Sequence, residues 1–107
     1  IDLISRVPLL KSMVKFIAPA RREFLKEVGY YNEQQPGLGT AFAEEVAAAT
    51  ARALAFPDSG SPATKSTRRV FVNRFPFSVV YRAGSDGIIV FAVANHARLP
   101  EYWASRM

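Results

Sequence analysis

RRVFVNRFPFSVVYRAGSDGIIVFAVAN, residues 68–95, is the stretch on which the fold turns. Val70 and Val72 alternate with Phe71 and Asn73, a period of two that marks a strand. Phe75 and Phe77 flank Pro76 in a tight connection. Ser78–Arg82, SVVYR, reads as a second strand, and Gly84-Ser85-Asp86-Gly87 supplies the turn of a hairpin into a third, Ile88–Ala94. Connections this short favour an antiparallel meander, and the near-continuous apolar run IIVFAVA suits a central strand covered by helices.

Upstream of this stretch the period is helical. Phe24, Val28 and Tyr31 fall on one stripe with Leu25 beside them, while Arg21, Arg22, Glu23, Lys26 and Glu27 point elsewhere. Pro19 suits the first turn of that helix, where its missing N–H is no loss. Gly29 weakens the helix unless a close partner needs its bare backbone. Pro36-Gly37 stops the first helix, and a second begins near Leu38–Thr40, with Phe42, Val46, Ala49 and Ala53 at helical spacing and Ala47-Ala48-Ala49 permitting a close approach. It ends before Pro57. Phe56–Thr67, FPDSGSPATKST, is dense in Pro, Gly, Ser and Thr and reads as a loop. MVKFIA, opening at Met13, has the pattern of a short strand that joins the C-terminal ones, since an isolated strand leaves its backbone unpaired. The order strand, helix, helix, strand, strand, strand predicts a two-layer α+β domain over residues 13–107. Residues 1–12, with Pro8 in a mixed apolar stretch, form an extension outside it, a native arm, an artefact of start-site choice or leftover upstream sequence.

Composition narrows the chemistry. Of 107 residues, 50% are hydrophobic and 21% charged, as in a folded domain. The chain has no cysteine and one histidine, which excludes disulfide scaffolds, Cys-based zinc and iron–sulfur sites and thiol nucleophiles, and leaves no metal site or cofactor to expect. No run is long enough to span a bilayer and no secretory signal is evident, so the expected compartment is the cytoplasm. Gly-rich phosphate loops, HExxH and nucleophile-elbow contexts are absent, and the adjacent Glu44 and Glu45 diverge on their helix.

The net charge of +5 resides in one half of the chain. Residues 1–51 balance six basic against six acidic side chains, whereas residues 52–107 hold eight against three. Arg68, Arg69 and Arg74 surround the first strand of the meander, Arg82 ends the second, and His96 and Arg98 lie just beyond the third. Guanidinium groups grip phosphates or carboxylates bidentately, so a shared binding face competes here with ordinary strand-edge solubilisation. His96 offers either proton transfer in metal-independent RNA cleavage, with an arginine at the phosphorane and Tyr102 or Glu101 as partner, or a strand-closing hydrogen bond. Tyr102 and Trp103 either pack on the sheet edge or meet a base or a protein.

Taken in order, MVKFIAPARREF, YYNEQQPGLGTAF, RRVFVNRFPFSVVYR and IIVFAVANHARLPEYWASR resemble the RelE/ParE toxin superfamily, in its ParE-like, plasmid-stabilisation branch. The resemblance runs from Met13 to Arg106; Phe77 stands where tyrosine is frequent, and His96-Ala97-Arg98 shortens the usual His-x-x-Arg ending by one residue. It implies a helical hairpin packed on a twisted antiparallel sheet, and the toxin half of a type II toxin-antitoxin pair. The implied partner is a small antitoxin with an acidic, flexible C-terminal segment, in a toxin-antitoxin hetero-oligomer. ParE-like members poison DNA gyrase, whereas RelE-like members cut mRNA on the ribosome, and a shared fold does not separate them. For a nuclease the residues would be His96, Arg98 and Tyr102. A complete acid-base set is not evident, since Lys65 is the only lysine after Lys26 and Asp58 the only carboxylate between Glu45 and Asp86. The expectation is therefore a gyrase-directed toxin that is not itself an enzyme, binding target or antitoxin through Arg69, Arg74, Arg82, His96, Arg98, Tyr102 and Trp103.

Overall fold

The computed structural model describes residues 13–106; the extension expected at 1–12, and Met107 at the end of the expected domain, lie outside the described residues. Strand β1 (Val14–Phe16) is followed by helices α1 (Ala18–Gln34) and α2 (Leu38–Ala55), then by β2 (Ser61–Pro62), β3 (Arg68–Phe71), β4 (Phe77–Gly84) and β5 (Gly87–Asn95), and a short 3-10 turn at Ala104–Arg106. The sheet order is β1-β5-β4-β3-β2. β3, β4 and β5 form the expected antiparallel meander, and β1 joins it by pairing parallel to β5, Val14 opposite Ile88. The sheet is mixed for that reason. The span read as a loop contributes β2, two residues paired with Arg68 and Arg69. Pro62 suits this outermost strand, because proline cannot donate to a ladder on its free side.

The helical hairpin covers one face of the sheet. Phe42, wholly buried, holds ring contacts with Phe24, Tyr31, Phe75 and Phe77 at centroid distances of 5.0–6.2 Å. Val14, Val46, Val79, Tyr81, Ile88, Val90 and Val93 extend this core along the sheet. The close approach of the two helices falls at Gly39 rather than Gly29. Gly29 faces open space, whereas a Cβ on Gly39 would stand 2.2 Å from the Val28 carbonyl oxygen, and the Gly39 amide donates to Asn32 Oδ1 at 2.8 Å. Gly39→Ala is expected to force the helices apart at a cost of about 1–3 kcal/mol, read as a lowered thermal midpoint. Gly29→Ala should raise the midpoint through helix propensity.

The apolar run in β5 departs from the expectation of helical cover. Val80 pairs with Ala92 and Tyr81 with Val90, so Phe91 is the extra residue of a β-bulge. The bulge shifts the side-chain alternation by one. Ile88, Val90 and Val93 thereby face the helices, while Ala92 and Ala94 join Val80 on the opposite face. That second face is covered by the C-terminal segment, whose Trp103 is 3% exposed. No helix among the described residues is long and apolar enough to cross a membrane.

Candidate functional site

The C-terminal segment leaves a groove beside the patch it covers. On the face away from the helices, Arg69 pairs with Val80 and Phe71 with Ser78, and the chain after β5 turns back over them. The resulting groove of about 230 Å³ is lined by Arg69, Phe71, Ser78, His96, Arg98 and Leu99, with Tyr102 and Trp103 at its side. It is smaller than the pockets that enclose small molecules, and its rim carries Phe71 at 64% and Leu99 at 80% exposure. Two exposed apolar side chains among arginines have the character of a contact surface.

Of the seven residues singled out from sequence, five meet here: Arg69, His96, Arg98, Tyr102 and Trp103. Trp103 is buried against Val80, Ala92 and Ala94, so its ring supports the wall and packs on the sheet. Arg74 and Arg82 stand elsewhere. Arg74 occupies the β3–β4 turn with a left-handed φ of 72°, its guanidinium 5.7 Å from the Phe75 ring centre. Arg82 lies at the other end of β4, over the Phe91 ring at 4.9 Å, with a buried Nε that has no hydrogen-bond partner. The register separates them: Arg82 pairs with Ile89 near the hairpin, whereas Arg74 precedes Phe77 at the opposite end of the strand. Arg82 instead shares a second cleft, of about 330 Å³, with Lys65 and Arg68.

His96 is held at the mouth of the groove. Its amide donates to the Pro76 carbonyl at 2.9 Å, its Nε2 shares a 2.8 Å hydrogen bond with Ser78 Oγ, and its ring meets Phe71 edge-on at 5.6 Å. The backbone bond is the strand-closing one; the ring remains exposed. Tyr102 is differently placed. Its hydroxyl donates a short hydrogen bond to Glu23 Oε2, and its ring carries the Arg98 guanidinium at 3.7 Å and that of Arg106 at 5.1 Å. Arg106 closes a bidentate pair with the same carboxylate at 2.9 Å on each arm. Burial, and then the adjacent Glu23 carboxylate, push the Tyr102 phenol well above its ordinary range.

Glu23 had no sequence signal. It lies in a run of charged α1 residues that read as solvent-facing, and Tyr102 and Arg106 are 79 and 83 positions away. Phe71 had one, since its alternation with Val70 and Val72 puts it on the face opposite the core.

The phenols yield a pH prediction. Tyr31, Tyr81 and Tyr102 are all raised in the folded protein, chiefly by burial. A group whose folded pKa exceeds its unfolded one contributes stability that is complete below the unfolded value and lost as pH rises towards the folded one. Thermal midpoints should therefore fall as pH rises past about 10, the ordinary phenol value. Tyr102→Phe should flatten that decline, and an unchanged slope would count against the placement of its hydroxyl.

Among the described residues no cluster of histidine and carboxylates could hold a metal ion. The described residues thus form a helix-backed meander with a basic, partly aromatic groove on the face away from the helices. Residues 14–100 match the family described as the ParE toxin of the type II toxin-antitoxin system parDE, and the chain belongs to that family. It is thus the toxin component of a ParDE-like system, which implies a cognate antitoxin. A search of curated protein sequences returns no significant match. Among solved structures, a chain of the "Chromosomal ParDE TA system from P. aeruginosa" shares the fold, with a TM-score of 0.67 at 14% identity over 78% of this chain and 95% of that one.

Proposed function

We propose that this toxin arrests growth by binding DNA gyrase through the groove, acting as a poison without chemistry of its own. The observation that carries the reading is the division of labour at the C-terminal segment. Arg98 and His96 are exposed beside Phe71 and Leu99, whereas the Tyr102 hydroxyl is committed to Glu23. Binding needs only exposed guanidinium and apolar anchors. Ribonuclease action needs a base, a leaving-group acid and a phosphate clamp converging within hydrogen-bond reach, and a phenol held by a carboxylate is a poor member of such a set.

The same reading has a cognate antitoxin fold an acidic, initially disordered C-terminal segment along the helical hairpin, placing carboxylates near Arg69, Arg74 or Arg82 in a hetero-oligomer. Gyrase as target puts the site of action in the cytoplasm. The deciding experiment assays one preparation twice, for gyrase supercoiling with trapping of cleaved DNA, and for mRNA cleavage on translating ribosomes, each with and without antitoxin. Inhibited supercoiling with intact mRNA is expected. Codon-linked cuts that disappear in His96→Ala, together with unaffected gyrase, would replace this reading with the ribosome-dependent, metal-independent endonuclease.

A further inference from the structure

Between the core and the groove lies the Glu23 cluster that holds the Tyr102 hydroxyl. Four hydrogen bonds converge on the two oxygens of Glu23: from the Val93 amide at 3.1 Å, from the Tyr102 hydroxyl, and from both arms of Arg106. Arg98 adds a looser ion pair at 3.7 Å. The carboxylate is 16% exposed and sits where β5 outruns β1. β1 pairs only with Ile88–Val90, so the edge groups of β5 beyond that point need other partners; Glu23 takes the Val93 amide, and Arg106 Nη1 takes the Phe91 carbonyl at 3.0 Å. A helix residue and a C-terminal residue together complete the sheet edge, and they are bonded to each other.

The C-terminal segment has few other attachments. Among the described residues, the backbone hydrogen bonds donated by Arg98, Tyr102, Ala104 and Arg106 each close on an acceptor three residues earlier, within the turns themselves. The segment is therefore positioned by side chains, with Trp103 on the sheet and Tyr102 and Arg106 on Glu23. Trp103 packing is non-directional and resists lifting more than sliding. The carboxylate supplies direction, because a bidentate guanidinium and a phenol at fixed angles leave one orientation for the Tyr102 ring. Arg98 lies on that ring.

We propose that Glu23 is a positioning residue for the groove: by holding Tyr102 and Arg106 from α1, it fixes the C-terminal segment and thereby the place of Arg98. This rests on the reading of the groove as the target-binding surface, and the test separates the two. Trp103, the chain's only tryptophan, adjoins Tyr102 and reports the segment directly. In Glu23→Gln the shape is kept and the charge is lost. Acrylamide quenching of Trp103 should rise about threefold with a red-shifted emission, while far-UV circular dichroism stays that of the folded protein. Growth arrest should weaken about tenfold, and the double variant Glu23→Gln/Arg98→Ala should be no weaker than Arg98→Ala alone, since the two changes remove one interaction.

Where Glu23→Gln fails to fold, Arg106→Met provides the same test with the carboxylate still on Tyr102 and Val93, and the same rise in quenching is expected. Trp103 as protected as in the unmodified chain would overturn the proposal, as would an exposed Trp103 with undiminished toxicity or strictly additive losses with Arg98→Ala. Full toxicity of folded Arg98→Ala would instead remove the underlying reading of the groove, and with it the role assigned to Glu23.

Discussion

Phe42→Ala is expected to cost about 3–5 kcal/mol, a large share of the roughly 5–15 kcal/mol that stabilises a domain of this size, and so to lower its denaturation midpoint sharply. The ring is wholly buried and touches four other aromatic rings contributed by α1, the β3–β4 turn and β4. Removing it opens a cavity where helix and sheet layers meet, and rings of this size cannot collapse into it without leaving their rotamers. Urea denaturation followed by circular dichroism is the measurement. A midpoint within error of the unmodified protein would mean that the hairpin does not rest on the sheet through this cluster. Phe42→Leu, which keeps most of the volume, should fall between the two.

Arg69→Ala combined with Arg98→Ala is expected to abolish growth arrest with the fold retained. Truncating one arginine at the centre of a protein interface costs about 2 kcal/mol or more, so the pair should weaken target binding by about a thousandfold. Both guanidinium groups belong to the groove, and Arg98 is 55% exposed, so little stability depends on it. Arg74→Ala is the contrast. It lies in the β3–β4 turn, outside the groove, and should leave toxicity intact while weakening neutralisation if the antitoxin uses that end of the sheet. Growth curves with inducible expression, supercoiling inhibition by purified variants and circular dichroism separate these outcomes. Equal impairment by Arg74→Ala and the double variant would move the functional surface away from the groove.

Local chemistry carried most of the architecture because the helices and the longer strands announce themselves within a few residues, whereas the two-residue β2 does not. The alternation around Val70, the glycine-bounded turn at Gly84–Gly87 that joins β4 to β5, and the helical stripe of Phe24, Val28 and Tyr31 are each written in a few neighbouring residues and appear where the pattern put them, although β3 ends at Phe71, one residue short of Val72. Misreadings arose where a residue's role depends on a distant neighbour. Gly29 and Gly39 look alike as helix glycines, and only the crossing of the helices makes one of them a contact point. The run IIVFAVA says that β5 is covered on both faces. It does not say by what, because apolar burial has no directional signature, and the bulge at Phe91 divides the run between the hairpin and Trp103.

The candidate site shows the same boundary more sharply. Residue type and order were sufficient to nominate a basic C-terminal half, its arginines, His96 and the aromatic pair, and to indicate the family to which the chain belongs. Register then decided which of them meet, because a strand displaces its side chains by about 3.3 Å per residue and so carries Arg74 and Arg82 to opposite ends of β4. Partnership decided the rest. The Tyr102 hydroxyl, the Arg106 guanidinium and the Val93 amide converge on Glu23 only once α1 lies along the edge of β5, and a carboxylate among charged helix residues gives no local sign of such a role. Sequence alone determined the two helices, the main strands, the charge asymmetry and the family, since these follow from neighbours along the chain; tertiary structure decided the short edge strand β2, the groove and its support, since these are made of contacts between separate segments, up to 83 positions apart.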